Sequence, residues 1–249
     1  MINSICVIGL GYIGLPTASM FAANGLKVIG MDKNKKVIES LQAGKIHIFE
    51  PGLQEIVTKS IESGKFTVSD SVEPADAFII AVPTPFIHEE IEKDGYKKAD
   101  MSYVVSAAES ILPHLRKGNL VILESTSPPK TTTDLVQPIL EKSGLKAGQD
   151  FYLAYSPERV LPGQILRELV ENSRVIGGID PASAQKGREL YAAFVKGEIV
   201  LTTATTAEMV KLMENTYRDV NIAIANEFSR LADRFGIDVW EAISIANRH

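Results

Sequence analysis

Short β-branched and apolar runs alternate along the chain with longer stretches whose apolar residues recur every three or four positions. That alternation predicts an α/β fold: a Rossmann-type, doubly wound and mainly parallel sheet covered by helices. Strands are expected at 4–9, 27–31, 66–69, 77–82, 120–124, 151–154, 174–177 and 199–201, and helices at 12–24, 35–43, 53–63, 102–115, 131–142 and 181–194.

The pattern changes after residue 203. From Thr205 to Phe235 there is neither proline nor glycine, and Gly236 stops the run. Thr205, with Glu208 three positions on, reads as a capping box. A helix over 205–235 would be a rod about 45 Å long. Its apolar residues, among them Met209, Met213, Val220, Ile224, Phe228 and Leu231, fall on more than one face, which predicts burial on several sides. Asp238 caps a short helix beyond it. The division expected is 1–203 as a sheet domain and 204–249 as a central helical region. That region is read as truncated, because the chain stops at His249 in mid-pattern.

Composition narrows the setting. Hydrophobic residues at 45% and charged residues at 23% are ordinary for a soluble globular protein. No stretch approaches the ~20 apolar residues that span a bilayer, so no membrane partner is expected. A formal charge of -5 argues against a grip on nucleic acid through bulk charge. The single cysteine, Cys6, cannot form an internal disulfide, and the N-terminus lacks a basic leader, so a reducing, cytoplasmic compartment is expected. No metal site is read from the chain.

The most informative segment is Gly9-Leu10-Gly11-Tyr12-Ile13-Gly14, which follows the first strand and opens the first helix. Gly9 permits a tight turn, Gly11 lets backbone approach a pyrophosphate, and Gly14 allows helix and strand to pack closely. The helix N-terminus then presents amides and a positive dipole end to phosphates. Asp32 closes the second strand, where a carboxylate would hold a ribose 2′-hydroxyl; it favours NAD over its 2′-phosphorylated form. Lys33, Lys35 and Lys36 read as a solvated basic helix start.

On the long helix Lys211, Asn215 and Arg218 share one face and offer an ammonium, an amide and a guanidinium to an anionic substrate or a developing oxyanion. Three proline-containing loops leave strands at the sheet's carboxyl edge: Val82-Pro83-Thr84-Pro85, Glu124 to Pro129, and Tyr155 to Gly163, the last bringing Glu158 and Arg159.

With GLGYIGLP at 9–16, EPGL at 50–53, VPTP at 82–85, ESTSPP at 124–129, SPERVLPG at 156–163 and AEMVKLMENTYRDVNIAIANE at 207–227, the chain resembles the nucleotide-sugar 6-dehydrogenases, the family of UDP-glucose and UDP-N-acetylhexosamine dehydrogenases. SPERVLPG and the terminal Asn247-Arg248-His249 are most similar to the branch acting on UDP-N-acetyl-D-mannosamine. The resemblance implies oxidation of a sugar C6 alcohol to a carboxylate with two NAD⁺, through a cysteine-bound aldehyde and thioester. It implies that Lys211 and Asn215 stabilise oxyanions and that Thr126 and Glu158 order or activate water. It implies further that Arg159, Val160, Arg218 and His249 join Lys211 and Asn215 in contacting the sugar nucleotide. Tyr12, Ile13, Asp32, Thr84 and Thr126 correspond to dinucleotide contacts, with Gly9, Gly11 and Gly14. A homodimer through the central helix is expected.

The family's nucleophilic cysteine follows the NRH segment, and a UDP-binding domain comes after it. Cys6 instead lies inside the first strand and reads as a small buried hydrophobe. The chain is therefore expected to bind NAD without completing the oxidation alone. UDP-N-acetylglucosamine, differing at C2, stays open as the substrate. A β-hydroxyacid dehydrogenase and a non-catalytic NAD-binding or dimerisation module stay open as rival functions.

Overall fold

The structure, a computed structural model, describes residues 2–91, 95 and 97–248. The chain divides into two compact units, Met1–Met209 and Val210–His249.

The first unit is built on the strands β1 (Ser4–Ile8), β2 (Lys27–Met31), β3 (Phe66–Ser69), β4 (Ala77–Ile80), β5 (Phe86–Ile91), β6 (Lys97–Ala99), β7 (Leu120–Leu123), β8 (Tyr152–Tyr155), β9 (Arg174–Gly178) and β10 (Ile199–Thr203). Eight of them form one sheet in the order β10-β9-β8-β7-β4-β1-β2-β3, while β5 and β6 pair separately. The centre of the sheet is β1, β4 and β7, whose apolar runs are buried almost without interruption. Burial on both faces is what a parallel sheet covered by helices demands, and it is why these strands read as continuous rather than alternating. Val7 pairs with Gly30 on one side and Ile79 on the other. The neighbours run parallel except β8 and β9, which meet antiparallel with Ala154 opposite Gly178. The sheet is thus mainly parallel, as the pattern predicts.

The covering helices are α1 (Gly14–Ala23), α2 (Lys35–Gln42), α3 (Leu53–Glu62), α4 (Ser102–Ile111), α5 (Gln137–Leu140), α6 (Ile165–Glu171) and α7 (Pro181–Tyr191). α1 is buried from Gly14 through Ala22. Its Phe21 ring meets the rings of Tyr191 and Phe194 at 5.4 and 4.8 Å, joining the two halves of the core.

Several expectations need correction. The single helix expected over 131–142 is a π-helical stretch, Thr131–Val136, then α5, then a 3₁₀ turn at Glu141–Ser143. Pro138 has no amide to give the preceding turn, and Lys130 ahead of it sits at φ 72°. The helix expected over 102–115 ends at Ile111 and tightens to a 3₁₀ turn holding Pro113. The β5–β6 hairpin and α6 were not expected. The capping box does not form: Thr203 Oγ1 accepts the Thr206 amide at 3.2 Å, and Glu208 turns away from the helix start.

The helix α8 (Ala204–Phe235) and α9 (Val239–Ala246) complete the chain. Asp238 caps α9 as expected, accepting the Trp240 amide at 2.9 Å. Met213, Tyr217, Val220, Ile224 and Phe228 of α8 are exposed, so this chain by itself does not bury them.

Candidate functional site

The parallel register sets the carboxyl ends of β1, β2, β4, β7 and β8 along one edge of the sheet. The turn after β1 begins at Gly9, which takes φ 97° and donates its amide to Met31 at 2.8 Å. A Cβ at Gly14 would lie 1.8 Å from the Gly9 carbonyl oxygen, so the turn closes only around glycine. At Gly11 a Cβ would meet nothing within 4 Å. The Leu15 amide enters α1, reaching the Gly11 carbonyl at 3.1 Å; a helix start following a glycine turn is a ready site for an anion. Asp32 accepts the Leu10 amide at 2.9 Å through one oxygen and the Asn34 amide at 2.8 Å through the other. The carboxylate that would meet a ribose is thereby locked to the turn that would meet the phosphates. Tyr12 is exposed beside it, and Ile13 half-buried. Lys33, read as solvated, donates to Ser106 Oγ at 2.6 Å. An open cradle at Gly11, a fixed carboxylate and helix-start amides fit a dinucleotide.

The neighbouring loops are tied together. Thr84 Oγ1 donates to the Thr126 carbonyl at 2.7 Å, and Ser125 Oγ to the Val82 carbonyl at 2.7 Å. The Thr126 loop is held at its far end by Glu208, which accepts the amides of Lys130 and Thr132 at 2.5 and 2.8 Å. Burial raises the Glu208 carboxyl above its ordinary range, against the pull of the Thr132 and Lys130 donors. Glu50 fixes the next loop, accepting the amides of Gly163 and Ile165, both at 2.8 Å. In that loop Val160 packs partly into the core, and Arg159 donates through Nη1 to the Ser173 carbonyl at 2.9 Å.

Glu158 is buried. Its Oε1 accepts the Arg159 amide at 2.7 Å, and its Oε2 accepts Arg174 Nη1 at 3.0 Å. Arg174 lies over the Tyr191 ring, 3.7 Å from its centroid, and also reaches Glu124. Burial pushes the Glu124 carboxyl up to about 7; Arg174 opposes that shift and Glu158 adds to it. Sequence reasoning gave no role to Arg174 or Tyr191, placed Glu124 and Glu50 only within the ESTSPP and EPGL segments, and read Glu208 as half of a capping box. For Glu124 and Arg174 a signal exists: each is a charge at the end of an otherwise buried strand.

Cys6 is fully buried in β1, and burial pushes its thiol up to about 11, as suits a packing group. In the second unit Lys211 and Asn215 are half-buried on α8, and Arg218 is exposed. Arg218 Nη2 donates to Asn215 Oδ1 at 2.8 Å, so these two share a face as the spacing requires. His249 lies outside the described residues. No helix is long and apolar enough to cross a membrane, among the described residues.

Two family models match the chain. Residues 3–195 match the family model "UDP-glucose/GDP-mannose dehydrogenase family, NAD binding domain", and residues 205–249 match that family's central domain. A UDP-N-acetyl-D-mannosamine dehydrogenase of Methanococcus maripaludis is 53% identical over all of this chain and 56% of its own length. A UDP-N-acetyl-mannosamine dehydrogenase structure from Staphylococcus aureus superposes with TM-score 0.89 at 51% identity, covering 99% of this chain and 58% of that one. A UDP-D-ManNAc dehydrogenase structure from Pyrococcus horikoshii gives TM-score 0.91 at 48% identity, with the same coverage of 99% and 58%. The chain thus spans little more than half the length of the curated relatives it matches.

Proposed function

Because this chain belongs to the UDP-glucose/GDP-mannose dehydrogenase family, we propose that it forms the NAD-binding domain (1–203) and central helical region (204–249) of a UDP-N-acetyl-D-mannosamine 6-dehydrogenase. The observation that carries the reading is the Gly9–Gly14 turn, locked to Asp32 and open at Gly11, beside the tied loops of Thr84 and Thr126. The turn amides would hold the pyrophosphate, Asp32 the adenosine ribose, and Tyr12, Ile13, Thr84 and Thr126 the remainder. NAD⁺, when bound, supplies the hydride acceptor, two per sugar for the four-electron passage from alcohol to carboxylate, with water providing the second oxygen.

The chain's own residues have separate tasks in this reading. Lys211 and Asn215 stabilise oxyanions at C6 by charge and hydrogen bonding. Glu158, with Thr126, takes a proton from the attacking water. Arg159, Val160, Arg218 and His249 contact the sugar nucleotide. Three relatives of about 50% identity that are named for the mannosamine substrate favour that C2 configuration over UDP-N-acetylglucosamine.

The test is NADH formation by the protein purified from its native source, with each of the two sugar nucleotides. Two NADH per UDP-N-acetylmannosamine are expected. Lys211→Ala is expected to lower kcat by about 10²–10³-fold, the scale of losing an oxyanion donor, with NAD⁺ affinity unchanged. Unchanged turnover would remove Lys211 from the mechanism, and no turnover by the native protein on either sugar would sink the reading.

We also assign a homodimer through α8, supported by the exposed Met213, Tyr217, Val220, Ile224 and Phe228. Sedimentation equilibrium of the chain should give twice its mass of 27.1 kDa, and Phe228→Asp should return it to 27.1 kDa. A wild-type monomer at tens of micromolar would refute the assignment.

A further inference from the structure

Glu208 is fully buried and stands on the first turns of α8, within the first unit. Its carboxylate accepts three hydrogen bonds from one short segment far back in the chain. Oε2 takes the Lys130 amide at 2.5 Å, and Oε1 takes the Thr132 amide at 2.8 Å and Thr132 Oγ1 at 2.7 Å. Both oxygens therefore have to accept, which a carboxylate can do and a carboxamide cannot. The segment so held is strained. Lys130 takes φ 72°, and among the described residues every other positive φ belongs to glycine. A lysine keeps that conformation only where its surroundings impose it, and such strain gathers where a loop is being placed. The π-helical stretch Thr131–Val136, itself a rare form, starts at the next residue.

What the strained turn can place lies four residues back. Between Thr126 and Lys130 stand Ser127, Pro128 and Pro129. The prolines have fixed φ and disfavour the helical region at Ser127 and Pro128, so the link is stiff. They also lack an amide, which makes Lys130 the first residue after Ser127 whose backbone N–H can brace the loop. A shift of Lys130 is thus passed to Thr126 and not absorbed on the way. At its near end the loop is already tied, by Thr84 Oγ1 on the Thr126 carbonyl and Ser125 Oγ on the Val82 carbonyl, both at 2.7 Å. We propose that Glu208 is a positioning residue for Thr126: from α8 it holds the Lys130 turn in its strained form, and that turn sets where Thr126 stands at the sheet edge. The inference rests on the reading of Thr126 as a contact of the dinucleotide and of the attacking water.

Glu208→Gln is the variant that tests it. The single oxygen of glutamine can serve Thr132 or Lys130, and its nitrogen then faces a donor. Calorimetric titration of the chain with NAD⁺ should show affinity lowered roughly tenfold, the scale of one charge-assisted hydrogen bond. Amide spectra of the chain should show the Thr126 and Ser127 peaks displaced and those of β1 unmoved. In the native protein, well below its unfolding temperature, kcat should fall about 10–100-fold with the KM for the sugar nucleotide unchanged. A purely structural role would lower the unfolding temperature and leave NAD⁺ affinity, the two peaks and kcat at wild-type values; that result overturns the proposal. If Glu208→Gln does not fold, Thr132→Val withdraws only the Oγ1 donor and keeps the side chain's shape. The same two peaks should move and NAD⁺ affinity should fall, and unmoved peaks overturn the proposal equally. Thr126→Val isolates the underlying reading. Unchanged NAD⁺ affinity and turnover in that variant would sink the role of Thr126, while the displaced peaks of Glu208→Gln would still decide whether Glu208 sets the loop.

Discussion

Replacing Arg174 with methionine is expected to destabilise the first unit by about 3–5 kcal/mol, the cost of leaving buried carboxylates without their cation. Methionine keeps much of the volume and the contact with the Tyr191 ring, so packing contributes little to that loss. The charge contributes most of it, because Glu124 and Glu158 are buried and meet their guanidinium at 2.5 and 3.0 Å. Thermal unfolding should fall by roughly 6–20 °C on this scale. The sign with pH follows from the carboxyls. Without the guanidinium, which opposes the burial shift, Glu124 keeps its proton to still higher pH, so the variant suffers most in alkaline buffer and least in acid. Adding Glu124→Gln should restore part of the loss, since a neutral amide there needs no cation. A variant as stable as wild type at pH 8 would mean that the cluster is open to water.

How much of this was legible in the residues depends on the range of each contact. β1, β4 and β7 are apolar at consecutive positions because both faces of the sheet are covered, and that signal is local. The turn from Gly9 to Gly14 is local too, and the structure gives Gly9 and Gly14 distinct steric reasons while Gly11 stays open. The carboxylates that brace the edge are otherwise. Glu208 reads as one half of a cap with Thr205, yet its oxygens go to Lys130 and Thr132, on a segment far back in the chain. Glu50 enters the sequence reading only within the EPGL segment, yet it accepts the Ile165 amide at the start of α6. Such long-range partners leave no periodicity to read. The antiparallel meeting of β8 and β9 is hidden for the same reason, because strand direction is set by the connection and not by the strand's own residues. The exposure of α8 is a different case. Its apolar residues on several faces call for a packing partner, and in this chain by itself they are exposed.

Alanine at Gly14 and alanine at Gly11 are expected to fail in different ways, and the contrast isolates the cofactor from the fold. At Gly14 the new Cβ would sit 1.8 Å from the Gly9 oxygen and 3.2 Å from the Ala81 side chain. Backbone has no rotamer with which to yield, so α1 must retreat from β1 and β4 or the turn must open. Either response overpacks a buried helix and costs about 1–3 kcal/mol or more. It also displaces the amides that lead into Leu15, so NAD⁺ affinity should fall at least about a hundredfold alongside stability. At Gly11 the new Cβ meets nothing within 4 Å and no positive φ forbids it, so the fold should be unmoved. The open space there is the approach to the turn's backbone, which a pyrophosphate would need. Gly11→Ala should therefore unfold at the wild-type temperature and still lose NAD⁺ binding by calorimetric titration. If Gly11→Ala binds NAD⁺ as the wild type does, the pyrophosphate does not cross Gly11. If it unfolds early, the glycine serves the turn, and the cofactor argument loses its independent support.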